Sequence, residues 1–275
     1  MVGFSGFAPR KDVLIRLIGA AKEYSCGPSA VKALRPSTLS VEPGEFILLQ
    51  GPSGSGKTTL LSIMGCLLKP SAGRVFICGK DVTEMGEGSL PALRLRHIGF
   101  IFQSFNLFPA LTAFQNVTLA LQLKGYGWRE RRREAARLLD RVGLSACMNR
   151  KPSELSGGQR QRICIARALS GNADVILADE PTAALDTQTG LSIMELLKEE
   201  TRDGNKAAFI VTHDPRLEKF ATRVDRITDG MLTVGTPPRI RSAGPGNESG
   251  LVNTPVQEPV GSSQNTPLGL QSVIK

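Results

Sequence analysis

The sequence predicts an α/β fold organised around a mostly parallel sheet. Three observations carry that expectation. Short apolar runs alternate with stretches of helical periodicity, one apolar run leads straight into a glycine-rich loop, and another ends in two adjacent carboxylates. Alternating strands and helices build parallel sheets because each crossover helix covers a sheet face. Ligands of such sheets collect in the loops at the carboxyl ends of the strands.

Residues 13–18 are apolar and β-branched and read as an edge strand, whereas Phe46–Gln50 reads as a buried one. Residues 58–67 then place Leu60, Leu61, Met64 and Leu67 on one helical face, and short strands are expected at 74–77 and 98–102. From 104 to about 154 the pattern is helical, with helices over 116–123 and 130–142 divided by the breakers Gly125-Tyr126-Gly127. A helix over about 159–169 leads to a strand at 175–178. A long helix (Thr187–Arg202), a strand at 207–212 and a β-rich piece at 224–234 complete the pattern. Residues 236–275 differ in kind: of these 40, 19 are Pro, Gly, Ser or Asn and none is aromatic. Such a composition cannot bury enough apolar surface to offset chain entropy, so a disordered tail is expected.

At 275 residues the chain can hold one large domain or two small ones. The five cysteines (Cys26, Cys66, Cys78, Cys147, Cys164) form an odd set without C-x-x-C spacing and read as reduced thiols, not as a disulfide framework or metal site. Two histidines exclude a His-rich metal centre. No apolar run approaches the ~20 residues that span a bilayer, and residues 1–11 lack a signal-like apolar core. The expectation is a cytosolic protein that docks on a membrane partner instead of crossing the membrane itself. The net charge of +9 invites a nucleic-acid reading. Its densest cluster, Arg129-Glu130-Arg131-Arg132-Arg133-Glu134 with Arg137 and Arg141, opens a stretch where Ala135, Leu138, Leu139 and Val142 recur at helical spacing. That pattern reads as a solvated helix face, with anionic lipid or nucleic acid as alternatives.

Gly51-Pro52-Ser53-Gly54-Ser55-Gly56-Lys57-Thr58 is a phosphate-binding loop of the G-x-x-x-x-G-K-[ST] type, with Thr59 completing the nucleotide-binding set. Glycine lets backbone N–H groups converge on phosphate oxygens, and the helix that starts at the loop points its positive end at them. Lys57 would reach the β- and γ-phosphates, and the Thr58 hydroxyl would ligate Mg²⁺. The strand that ends in Asp179 and Glu180 supplies carboxylates, Asp179 holding Mg²⁺ through its water shell.

About a hundred residues after the loop stands Leu155-Ser156-Gly157-Gly158-Gln159. With both motifs the chain resembles the ATP-binding cassette (ABC) family, and within it the lipoprotein-releasing and macrolide-export branch, over residues 13–234. The resemblance implies a P-loop NTPase core of the ABC type over 12–235, with an N-terminal antiparallel β part and an inserted helical subdomain at about 104–155. It implies that Glu180 is the general base, that Gln103 meets the metal or the attacking water, that His213 senses the γ-phosphate and that Tyr24 stacks on adenine. It places Leu155, Ser156, Gly157, Gly158 and Gln159 against ATP held by a second subunit, in a homodimer formed on ATP binding. Asp186 is then the D-loop residue that communicates across that interface.

The same resemblance implies an ATP hydrolase that uses ATP and Mg²⁺ to power a separate transmembrane permease for lipid, lipoprotein, peptide or drug export. A periplasmic adaptor is compatible with it, and no nucleic-acid partner is expected. The site of action would be the cytoplasmic face of the inner (plasma) membrane. An ATPase driving transmembrane signalling or cell-envelope remodelling without transport is the alternative. A soluble nucleic-acid ATPase fits less well, because long coiled-coil insertions and a second cassette are missing from the sequence. Two positions depart from the branch: Ala183-Ala184 stands where its exporters often carry Gly-Asn, and Gln115 replaces a frequent acidic residue. The first variant is similar to glycolipid-export ATPases of the branch. Both bear on substrate, not chemistry.

Overall fold

The computed structural model describes residues 13–26, 29–202 and 205–235. The expected disordered tail at 236–275 lies outside the described residues. The chain opens with β1 (Ile15–Cys26), β2 (Ser29–Val41), β3 (Phe46–Gln50), α1 (Lys57–Met64), β4 (Ala72–Ile77) and β5 (Lys80–Asp81). It continues with α2 (Leu90–His97), β6 (Ile98–Ile101), α3 (Ala113–Leu123), α4 (Trp128–Arg141) and α5 (Gly157–Leu169). Then come β7 (Val175–Asp179), α6 (Thr187–Arg202), β8 (Ala207–Val211), β9 (Arg223–Thr228) and β10 (Met231–Thr233).

Two sheets result. The larger has the order β10-β9-β3-β8-β7-β6, all parallel except β10, which returns antiparallel on β9. The smaller is antiparallel in the order β2-β1-β4-β5. Strands β3, β7 and β8 have no polar face because both of their faces are covered. Phe46, Leu48, Ile176, Ala178, Ala208 and Ile210 meet α3–α6 on one side. Ile47, Leu49, Val175, Leu177, Phe209 and Val211 meet α1 and the antiparallel sheet on the other. On α4, Ala135, Leu138 and Leu139 are buried against α3 and α5 while Arg129, Arg132, Arg133 and Arg137 face solvent, so the basic cluster is a solvated helix face.

Three expectations need correction. Residues 13–18 are not an edge strand: β1 lies between β2 and β4 and runs on to Cys26. Its extension passes through a register shift at Gly19, whose φ of 57° suits glycine, and Gly19 O would sit 2.2 Å from a Cβ on Gly73. The helix expected over 58–67 ends at Met64, because Gly65 and Cys66 (φ 53°) leave the helical region, and Leu67 is exposed. Strand β2 and helix α2 have no counterpart among the elements expected from the sequence.

One buried ionic cluster ties β9 to the sheet margin. Arg223 donates to Asp225 Oδ1 at 3.0 Å, Glu45 Oε1 at 2.7 Å and the Ser40 carbonyl at 2.9 Å. Asp225 is fully buried, and burial pushes its carboxyl above the ordinary range while Arg223 pulls it back. Arg223→Met is therefore expected to destabilise the fold by about 3–5 kcal/mol, since it strands a buried carboxylate. Urea denaturation measures the loss, and adding Asp225→Asn to the same chain is expected to restore part of it.

Candidate nucleotide-binding and hydrolysis site

Four adjacent parallel strands, β3, β8, β7 and β6, present their carboxyl ends at one edge of the large sheet. The segments that leave these strand ends line a single cleft of about 520 Å³: the glycine loop after β3, His213 after β8, Asp179 and Glu180 at the end of β7, and Gln103 after β6. Residues spread over more than 160 positions thus converge because the strands are in register.

The loop's glycines are required by position. Gly54 and Gly56 have φ of 76° and 103°, in the left-handed region that side chains disfavour. A Cβ on Gly51 would lie 2.1 Å from the Ile227 carbonyl oxygen, and one on Gly56 would lie 2.2 Å from that of Ala33. Helix α1 starts at Lys57 directly behind the loop, so its unpaired N–H groups and positive end face the cleft. Lys57 Nζ crosses the loop and donates to the carbonyls of Gly51 (2.9 Å) and Pro52 (2.6 Å). Pro52, Ser53, Thr58 and Thr59 also line the cleft, whereas the Ser55 side chain is buried beneath the loop.

At the end of the loop, Thr58 Oγ1 donates to Asp179 Oδ2 at 3.0 Å. Glu180 adopts φ 50°, and its N–H donates to the Val211 carbonyl at 3.0 Å, which fixes the turn that aims its carboxylate into the cleft. Glu180 Oε1 and His213 Nδ1 are 2.7 Å apart. The hydrogen bond to Glu180 raises the His213 pKa above its ordinary value. Tyr24 is not brought to this cleft: it stands half-exposed near the end of β1, with the Lys22 ammonium 5.3 Å from its ring centre. Ala33 and Ala183 line the cleft as well; no sequence signal assigns Ala33 there, because an alanine carries no chemistry of its own.

Leu155, Ser156, Gly157, Gly158 and Gln159 lie elsewhere, at the start of α5. Ser156 caps that helix: its hydroxyl accepts from the Gln159 N–H at 3.2 Å, and Gln159 Oε1 accepts from the Ser156 N–H at 2.9 Å. Gly158 packs on the segment before α6, where a Cβ would lie 3.1 Å from the Ala184 carbonyl. Asp186 caps α6 by accepting from the Thr189 N–H at 3.0 Å, which lowers its pKa. The loop after Gln103 is pinned to α5: Cys164 Sγ donates to the Phe105 carbonyl at 2.9 Å, and Arg167 donates to the carbonyls of Phe105 and Asn106. Gln115, despite replacing an acidic residue, completes a capping box with Thr112 at the start of α3.

A family model described as ABC transporter matches residues 34–183. The chain belongs to the ABC transporter family. A Thermotoga maritima relative, called an uncharacterized ABC transporter ATP-binding protein, is 45% identical over 219 residues, covering 80% of this chain and 93% of the relative. The macrolide export ATP-binding/permease protein MacB of Rhodopseudomonas palustris is 44% identical over 233 residues, covering 84% of this chain. The chain spans about a third of the length of the MacB relatives it matches, 36% in that case. Among solved structures, a dimeric ATP-binding cassette in a post-hydrolysis state with ADP and Pi superposes with a TM-score of 0.77 at 41% identity, covering 80% of this chain and 98% of that one. This ABC cassette is an ATP hydrolase with the α/β, P-loop architecture of those neighbours. Among the described residues no helix is long and apolar enough to cross a membrane.

Proposed function

We propose that this cassette, spanning residues 12–235 with a helical subdomain at about 104–155, hydrolyses ATP to power a separate membrane-spanning export permease. One observation carries the reading. The cleft gathers the phosphate loop, Asp179, Glu180, Gln103 and His213, while Ser156 stands exposed at the start of α5, outside it. A site divided in this way is completed by a second copy, with Ser156 and Gly158 of each chain facing the nucleotide of the other. The dimeric state of the solved relative supports that arrangement.

In the mechanism, loop N–H groups and the end of α1 bind the β- and γ-phosphates, and Lys57 swings from the loop carbonyls to the phosphate oxygens. Mg²⁺ fits the oxygen donors present. The Thr58 hydroxyl and Asp179 carboxylate are already hydrogen-bonded, and the Gln103 amide lines the same cleft. That ion supplies charge neutralisation on the phosphates. Glu180 takes the proton of the water that attacks the γ-phosphorus, and the bond from that phosphorus to the β,γ-bridging oxygen breaks so that ADP leaves. His213, paired with Glu180 at 2.7 Å, orients its carboxylate.

A pull-down of the full chain from detergent-solubilised membranes tests the partner. Co-purification of a polytopic membrane protein that stimulates ATP hydrolysis is expected. ATPase stimulation by DNA or RNA, with no membrane protein recovered, overturns the reading. Removing residues 236–275 is expected to leave the melting temperature and ATPase rate within error, since that segment adds no motif. A large drop in either would assign the tail to the cassette.

A further inference from the structure

A second constellation of side chains lies at the opposite edge of the large sheet. Asp174 immediately precedes β7, and His97 immediately precedes β6. Val175 pairs with Ile98 in the parallel register, so the two side chains emerge beside each other. His97 Nδ1 is 2.6 Å from Asp174 Oδ2. The same oxygen accepts from Cys78 Sγ at 3.8 Å. All three candidate donor atoms lie within 4.8 Å of one another.

We propose that Cys78, His97 and Asp174 bind a divalent cation of the zinc class. The donor set is sulfur, imidazole nitrogen and carboxylate oxygen, which suits zinc and its late first-row neighbours, not Mg²⁺ or Ca²⁺. Tetrahedral zinc bonds of about 2.0–2.3 Å put neighbouring ligand atoms roughly 3.3–3.8 Å apart. The sulfur–oxygen separation of 3.8 Å already meets that spacing. The nitrogen–oxygen pair needs only to widen as the cation replaces the shared proton, and water fills the remaining position. Binding also requires the Cys78 thiol to release its proton to solvent.

The framework around the three groups is rigid. Cys78 and Gly79 form the two-residue turn between β4 and β5, with φ of 46° and 77°. Glycine and asparagine are the usual occupants of such turns, so a cysteine there is a costly choice if only the turn mattered. The Asp174 carbonyl is held by the Ala207 N–H at 3.0 Å. A bound cation would tie the β4–β5 turn and the end of α2 to the sheet. Strands of four and five residues separate it from Gln103 and Asp179, about 13–17 Å. The site is therefore structural and independent of the hydrolysis reading.

The test titrates the full chain, without nucleotide, first with Co²⁺ and then with Zn²⁺. One equivalent of Co²⁺ is expected to give a thiolate-to-cobalt charge-transfer band that Zn²⁺ bleaches. The band is expected to disappear in Cys78→Ser and in His97→Gln but to survive in Cys147→Ser. Zn²⁺ is expected to raise the melting temperature of the wild type and of Cys147→Ser only. If Cys78→Ser does not fold, His97→Gln carries the comparison. No cobalt band in the wild type, a band that survives in Cys78→Ser or His97→Gln, or an unmoved wild-type melting temperature overturns the proposal.

Discussion

Lys57→Ala is expected to weaken ATP binding by roughly 10- to 100-fold and to lower turnover with it. A hydrogen bond to a charged group contributes about 1.5–3 kcal/mol, and each 1.36 kcal/mol is tenfold in affinity. Among the described residues lining the cleft, the ammonium is also the one cationic side chain apart from His213, so no described neighbour there replaces its charge. The variant should still fold. Lys57 is only half-buried, and what it loses within the chain is two hydrogen bonds to the carbonyls of Gly51 and Pro52, groups that solvent can reach. Fluorescent-nucleotide titration and a thermal melt separate the two effects. Unchanged ATP affinity in a folded variant would sink the assignment of the loop.

The site was legible in the sequence wherever its chemistry is contiguous. The loop from Gly51 to Thr58 and the pair Asp179-Glu180 each declare themselves within a few residues, and an apolar β-branched run marks the strand before each. Gln103 and His213 are single residues, and the resemblance to a family supplied them, not their own surroundings. What joins them is the parallel register of β3, β8, β7 and β6, which no local window contains. Strand β2 was hidden for a related reason. Pro36 interrupts it and reads as a break in the run, although β2 lies at the edge of its sheet, where a proline is tolerated. The protein accommodates Pro36 in the irregular stretch between the pairs Ala20–Ser37 and Lys22–Leu34, where no ladder pair is needed. Helix α2 was hidden because only Leu93 is buried along its eight residues, too little to impose a helical period. The cluster of Cys78, His97 and Asp174 was invisible in the same way: its members are brought together by the β4–β5 turn and by two strand starts, and none carries a motif.

Glu180→Gln is expected to lower turnover by roughly 10²–10⁴, the usual worth of a positioned base, while leaving ATP binding intact. The substitution keeps size and a hydrogen-bond acceptor but cannot take the proton of the attacking water. Lys57, Thr58 and Asp179 are untouched. Uncleaved ATP should then hold two copies together, each nucleotide between the glycine loop of one chain and Ser156 of the other, so size-exclusion chromatography with ATP should show a dimer. Ser156→Arg in the same background should abolish that dimer, since a bulky side chain at the start of α5 blocks the shared face. The same variant has a second readout in His213. Because Glu180 raises the His213 pKa, the pair stabilises the fold below the ordinary histidine value, and that contribution is lost as pH rises through the raised one. His213 is 76% exposed, so screening keeps the contribution small, but its NMR titration reports the contact directly. In Glu180→Gln the midpoint should fall back toward the ordinary value. Normal hydrolysis would remove Glu180 from the role of base. A variant with bound ATP that stays monomeric would instead remove the second copy from the account, and an unmoved His213 midpoint would break the link between the two side chains.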